Sequence, residues 1–282
     1  MTKQDLDKTL KEIRKEIFLT GYSVNIAHLA SAFSLVEILY SLYHNQHLHY
    51  DPKNPDKDTR DRFILSKGHG SLALYVMLAR EGIISQEQLA SFCKPGSSLG
   101  GEPVLNSVPG IEATSGSLGH GLSLGAGMAL AKKLDHRSEK VYVLLGDGEC
   151  QEGAIWEAVM FAAAKQLDNL IAIIDDNALQ KMGKTSDIMG ITSWAEQFKA
   201  FNWDVQEVDG HDVAALDQIF AKPNTTKKPR AIIAHTIKGK GVSIVEGDAR
   251  WHWRLPSKRE LKTFVQELNI SEEEIASCRP AM

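Results

Sequence analysis

An aspartate held between two glycines closes one apolar run of this 282-residue chain, and an asparagine closes the next. The first run ends Leu144-Leu145-Gly146-Asp147-Gly148, and the second ends Ile173-Ile174-Asp175-Asp176-Asn177. A hard cation such as Mg²⁺ takes oxygen ligands, few of them charged, and often shares phosphate oxygens. One carboxylate, one amide oxygen and a nearby backbone carbonyl make such a set and leave room for a diphosphate. Gly146 and Gly148 let phosphates approach the main chain closely. The helix that starts near Gly153 adds amide donors and the positive end of a dipole. Each part alone also has an ordinary reading: Gly-Asp-Gly is a common turn tripeptide, and an asparagine after a strand is a common cap. The two features together, on consecutive strands about thirty residues apart, are more specific than either.

The elements that must hold these residues follow from hydrophobic spacing. Leu6, Leu10, Ile13 and Ile17 predict a helix over 5–19. Residues 34–44 predict another, opened by a Ser34–Glu37 capping box. After a polar loop at 51–62, residues 63–66 read as a short buried strand, and 67–71 as a turn into a helix. A short helix at 86–92 precedes a loop over 93–117 rich in glycine, serine and proline; loops of that length in compact domains are usually functional or disordered. Beyond it, helices at 118–134, 153–166, 192–200 and 212–221 alternate with strands at 140–148, 169–176, 203–210 and 229–236. That alternation predicts an α/β fold, a parallel sheet flanked by helices, whose ligands sit at the carboxyl ends of strands. Residues 1–256 read as one domain and 257–282 as its peripheral, amphipathic helical extension.

Composition narrows the function. The formal charge of −4 supplies no basic field for nucleic acid. No run approaches the ~18 apolar residues of a membrane helix, and the charged N-terminus lacks the apolar core of a signal peptide. Cys93, Cys150 and Cys278 are widely spaced and odd in number, which suits a reducing cytoplasm.

The wider text resembles the amino-terminal half of transketolase. The carriers are "TRDRFILSKGHGS" (59–71), "GIEATSGSLGHGLSLGAGMALAKKLD" (110–135), "YVLLGDGECQEGAIWEAVMFAA" (142–163), "VDGHD" (208–212) and "IIAHTIKGKGVS" (232–243). Gly146-Asp147-Gly148 followed by Asn177 resembles the thiamine diphosphate fingerprint. The resemblance implies the thiamine diphosphate-binding fold and a Mg²⁺ (or Ca²⁺ or Mn²⁺) ion held by Asp147, Asn177 and the carbonyl of Leu179. It places His69, Gly116, Ser117, Leu118, Gly146, Gly148 and Glu149 at the cofactor. It makes His28 and His252 catalytic and substrate-binding, Glu102 substrate-binding, and Glu152 an interface glutamate that couples two active sites. It further implies two-carbon ketol transfer from a ketose to an aldose. The pyrimidine-binding and carboxy-terminal domains would be supplied by a second polypeptide in an α₂β₂ assembly.

Some positions depart from the family pattern. Ser117 stands for a proline and His120 for a glutamine. Ile26-Ala27 and Ala30-Ser31 replace the Ser-Gly and Gly-Gly around His28. Glu102 replaces a histidine that meets donor-sugar hydroxyls. An ionised glutamate only accepts hydrogen bonds, so an altered donor or acceptor preference is expected. Alternatives are a component of another thiamine diphosphate enzyme, of the 2-oxoacid dehydrogenase type, and a non-catalytic cofactor-binding protein.

Overall fold

The computed structural model describes residues 2–26, 28–55, 57–191 and 193–278; Ala27, one of the departures near His28, lies outside the described residues. The chain begins with α1 (Lys3–Ser23), α2 (Leu29–Phe33) and α3 (Val36–Leu39), the last running into a π-helical turn at Tyr40–His44. Strand β1 (Arg62–Leu65) leads through a short turn into α4 (Ser71–Arg80) and α5 (Gln86–Ala90). Next come α6 (His120–Leu134), β2 (Val141–Gly146), α7 (Gly153–Ala164) and β3 (Leu170–Asp176). A two-stranded hairpin, β4 (Leu179–Gln180) and β5 (Gly183–Lys184), precedes α8 (Thr185–Met189) and α9 (Trp194–Ala200). The chain continues through β6 (Asp204–Asp209), α10 (Val213–Ala221), β7 (Arg230–His235), α11 (Leu261–Glu267) and α12 (Glu272–Ser277).

Strands β1, β2, β3, β7 and β6 pair in that order, all parallel. β2 and β3 are buried along almost their whole length, which is why both read as continuous apolar runs. Register aligns Gly146 with Asp175 and Asp176 with His235, so three strands deliver their polar ends to one edge. One apolar layer packs α1 to α4, α10 and α11 on one face; the other packs α6, α7 and α9 on the opposite face.

Several local expectations yield to long-range contacts. Ser34 does not open a helix: its hydroxyl donates to Asp175, 2.8 Å away, and Glu37 is occupied by Arg14 and His211. A buried carboxylate and a buried guanidinium outweigh a cap that exposed backbone can replace with water. α6 begins at His120 rather than 118 because Gly119 takes a left-handed conformation (φ 89°) at its start. The terminal segment is less peripheral than its polarity predicts. Phe264 is buried and stacks on Phe18 at 4.7 Å, and Leu268 is fully buried.

Candidate cofactor and catalytic site

The carboxyl edge of the sheet opens into a cavity of about 380 Å³ lined by Asp147, Asn177, Leu179, His69, Lys238 and His252 among others. Asp147 follows β2, and Asn177 follows β3, as their spacing predicts. The Asp147 carboxylate accepts from the Gly148 amide (2.7 Å) and the Thr185 hydroxyl (3.0 Å). It is 3% exposed, and burial, together with nearby Asp175, pushes its pKa up to about 6. Such a carboxylate is under-compensated, the state a cation would relieve.

Between Asn177 and Leu179, Ala178 adopts a left-handed conformation (φ 60°), a strained choice for alanine. That turn lets the Leu179 amide donate to Asn177 Oδ1 (3.2 Å). Asn177 Nδ2 donates to Asp175 (3.1 Å), which fixes which amide atom faces which way. The Leu179 carbonyl accepts from Lys238 Nζ at 3.0 Å, and a carbonyl oxygen has a second lone pair to offer. Among the described residues no group of three or more His, Cys, Asp or Glu side chains is placed to hold a metal ion. The donor set here is of another kind, one carboxylate with neutral oxygens.

Two buried ammonium groups share the cavity. Lys67 pairs with fully buried Asp175, which also accepts from Ser34, Asn177 and the Thr236 hydroxyl. Burial pushes the Asp175 carboxyl upward, but Lys67 and these donors hold it below its ordinary value. Among the described residues Lys238 has no such carboxylate partner. Burial and Lys67 bring its pKa down to about 8. The cavity therefore has an under-compensated anion and an under-compensated cation side by side, which suits a metal–diphosphate ligand.

Three imidazoles converge at the mouth. Ring centroids lie 5.4 Å apart for His28 and His69, 5.6 Å for His28 and His252, and 5.7 Å for His69 and His252. Burial, reinforced by the nearby ammonium groups, lowers His28 to about 4 and His252 to about 3. His69 falls well below its ordinary value for the same reasons. All three are neutral at pH 7. Lys238 Nζ donates to His252 Nδ1 (2.9 Å), so the neutral ring carries its proton on Nε2.

Other expected residues sit differently. Glu149 lines the cavity; its buried carboxylate accepts from Ser66 and from the amides of Gly119 and Gly146 (both 3.0 Å), bracing two other loops, and burial pushes its pKa up. Glu152 is exposed at the cavity rim, where its stem touches Gly119. Leu118 lines the cavity, while Gly116 and Ser117 lie outside its lining. Glu102 is exposed, and its carboxylate lies across Gly116, also outside the lining. The sequence reading missed Lys67, Asp175 and Lys238. A lysine just after a buried strand, and an acidic pair at another strand's end, were the available signals.

Residues 20–274 match the family model described as transketolase, thiamine diphosphate binding domain. The chain belongs to the transketolase family. Its relatives include one of the subunits of the apulose-4-phosphate transketolase of Phocaeicola vulgatus, 41% identical over 95% of each chain. The "6-deoxy-6-sulfo-D-fructose transketolase subunit SqwG" of Clostridium sp. (strain MSTE9) is 39% identical over 94% of this chain and 96% of its own. The solved transketolase of Campylobacter jejuni superposes with a TM-score of 0.87 at 28% identity, covering 99% of this chain but 46% of that one. The human transketolase is likewise matched over 42% of its length. This family member therefore spans less than half of the long transketolases and nearly all of the relatives named as subunits.

Proposed function

We propose that this chain is the diphosphate-binding subunit of a two-polypeptide transketolase, cytoplasmic and assembled as α₂β₂ with a partner that supplies the pyrimidine-binding and carboxy-terminal domains. The observation that carries the reading is the strand-end cavity, where Asp147, Asn177 and the Leu179 carbonyl stand beside two buried lysines and three neutral histidines. Asp147, Asn177 Oδ1 and the Leu179 carbonyl would hold Mg²⁺. Lys238, His69 and the glycine-flanked main chain at Gly146 and Gly148 would receive the diphosphate. Thiamine diphosphate, bound there, would supply the nucleophilic carbon that carries a two-carbon ketol unit from a ketose to an aldose.

The protein's own part is proton handling and orientation. His252, with Nδ1 occupied by Lys238, has its Nε2–H to donate to a sugar oxygen. His28, neutral at pH 7, can take or give a proton at the same mouth. Gly116, Ser117 and Leu118 would reach the partner's side of the cofactor, and Glu152, exposed at the rim, would meet the second copy. Glu102, exposed across Gly116, would act on the donor sugar only once the partner closes over it. We also infer that the described part of the 257–282 extension, to residue 278, belongs to the same domain as the residues before it, since Phe264 stacks on Phe18; 279–282 lie outside the described residues.

The test is ketol transfer by this chain with Mg²⁺ and thiamine diphosphate, alone and with the partner, followed as two-carbon exchange by mass spectrometry. Transfer only in the complex is the expected result. A cofactor-loaded complex that releases carbon dioxide from 2-oxoacids instead would refute the reading. Glu102→His should change the ranking of donors; an unchanged ranking removes Glu102 from substrate recognition.

A further inference from the structure

We propose that Trp253 is a specificity-determining residue whose exposed indole face is the wall on which the sugar substrate lies as it meets His28 and His252. The sugar class comes from the transferase reading above, on which this inference rests.

Trp253 is 54% exposed, whereas tryptophan in folded proteins is highly buried on average. Its position is anchored. On one side, Trp251 is buried, tilted against Phe264 at 5.6 Å, and covered by the Arg254 guanidinium 4.0 Å from its ring centroid. Arg254 in turn pairs with Glu260. His252 is held by Lys238. The residues on either side of Trp253 are thus fixed, and the indole is held out into solvent by them.

Neither Trp253 nor His28 is part of the cavity lining, but both lie beside it, next to His252. The indole and His28 rings meet edge to face with centroids 4.1 Å apart, and His28 is 5.6 Å from His252. Two of the three neutral imidazoles therefore lie within a ring's width or two of an open aromatic surface. A sugar has an apolar face of C–H groups and a rim of hydroxyls. An aromatic face accepts the former while imidazole nitrogens take the latter, the usual division of labour between apolar lining and few placed polar groups in a binding site. The indole also limits how bulky a substituent the sugar can carry on that side, so it selects among substrates.

The experiment uses the complex with the partner polypeptide, loaded with Mg²⁺ and thiamine diphosphate. Trp253→Phe, Trp253→Leu and Trp253→Ala are compared with wild type. Donors are xylulose 5-phosphate, fructose 6-phosphate and their unphosphorylated and sulfonated counterparts, with ribose 5-phosphate as acceptor. Expected is a rise in KM on the order of tenfold for Ala and Leu, most of it restored by Phe, with unchanged cofactor affinity and a changed ranking of donors. Tryptophan fluorescence gives a second readout. Sugar should quench wild-type emission, and the quenching should shrink in Trp253→Phe.

A fall in kcat alone, with KM and ranking unchanged, would make Trp253 a brace for His28 and overturn the proposal. Loss of partner binding with normal sugar affinity in the residual complex would make it an interface residue and overturn it too. Unchanged kinetics in all variants, beside an active wild type, defeat the Trp253 inference and leave the transferase reading standing. A loaded wild type that transfers from no donor defeats the transferase reading; quenching that Trp253→Phe abolishes would then still place sugar on this indole.

Discussion

Replacing Asp147 by asparagine should make the cofactor-free chain more stable at neutral and alkaline pH and, on the proposed reading, abolish metal binding. The side chain is 3% exposed and its carboxyl is pushed from 3.8 up to about 6, first by burial and then by Asp175. The folded chain thus holds this proton more tightly than the unfolded chain does. Its stabilising effect is fully present below pH 3.8 and is lost as pH rises through about 6. The interval corresponds to about 3 kcal/mol lost by pH 8, and to about half of that near pH 5. Asparagine removes the charge and keeps the hydrogen bonds: its oxygen can accept from the Gly148 amide, and its amide can donate to the Thr185 hydroxyl, which turns to receive it.

The assay is thermal unfolding of the isolated chain between pH 5 and 8, wild type against Asp147→Asn. With roughly 2–4 °C per kcal/mol for a chain approaching this size, the variant should melt on the order of 5–10 °C higher at pH 8, and the gap should narrow towards pH 5. Adding Mg²⁺ and thiamine diphosphate should stabilise wild type by mass action and leave the variant unmoved, reversing or closing the gap. A variant that melts lower than wild type at pH 8, or a gap independent of pH, would refute the reasoning. Asp147 would then be a satisfied structural residue, not a ligand held ready at a cost in stability.

Lys67→Met should destabilise the chain by about 3–5 kcal/mol, because it strands fully buried Asp175 without its cation, and the double variant Lys67→Met/Asp175→Leu should recover part of the loss in chemical denaturation. Thiamine diphosphate affinity should weaken as pH rises through about 8, where Lys238 loses its proton, and Lys238→Met should flatten that limb in a binding titration. His28 and His252 titrate near 4 and 3, so neither should produce a limb in kcat/KM between pH 6 and 8; a limb there that vanishes in His252→Asn would contradict the neutral assignment.

What was legible in the sequence was the part that obeys short periods. Two apolar runs with polar ends marked β2, β3 and the approximate places of Asp147 and Asn177, because a strand buried on both faces has no other way to be written. The residues that tension the site were not legible, because each depends on a partner far along the chain. Lys67 and Asp175 meet across 108 residues, and Ser34 reaches Asp175 across 141. A capping signature at Ser34–Glu37 was locally correct and globally overruled, since both side chains had stronger obligations elsewhere. Glu149 has long-range obligations of the same kind: Ser66 and Gly119 from two other loops, and Gly146 from its own turn, donate to its carboxylate.

The same conflict explains how the site is poised. Asp175, with Lys67 and three further donors, is held below its ordinary value; Asp147, with two donors, and Glu149, with three, both line the cavity and are both pushed up by burial. Among the lysines, Lys67 is matched by Asp175, while Lys238 donates to a carbonyl and an imidazole and is brought down to about 8 by burial and by Lys67. Asp147 and Lys238, the two groups that would touch a metal and a phosphate, are thus both displaced from their ordinary values, while Lys67 and Asp175 beside them are matched within the fold. Glu149→Gln should lower stability, by leaving an amide N–H where the Ser66 hydroxyl or a backbone N–H now donates; because burial also pushes the Glu149 carboxyl up, that loss should shrink as pH rises. The two isosteric changes, on one turn of the chain, should move the melting temperature at pH 8 in opposite directions.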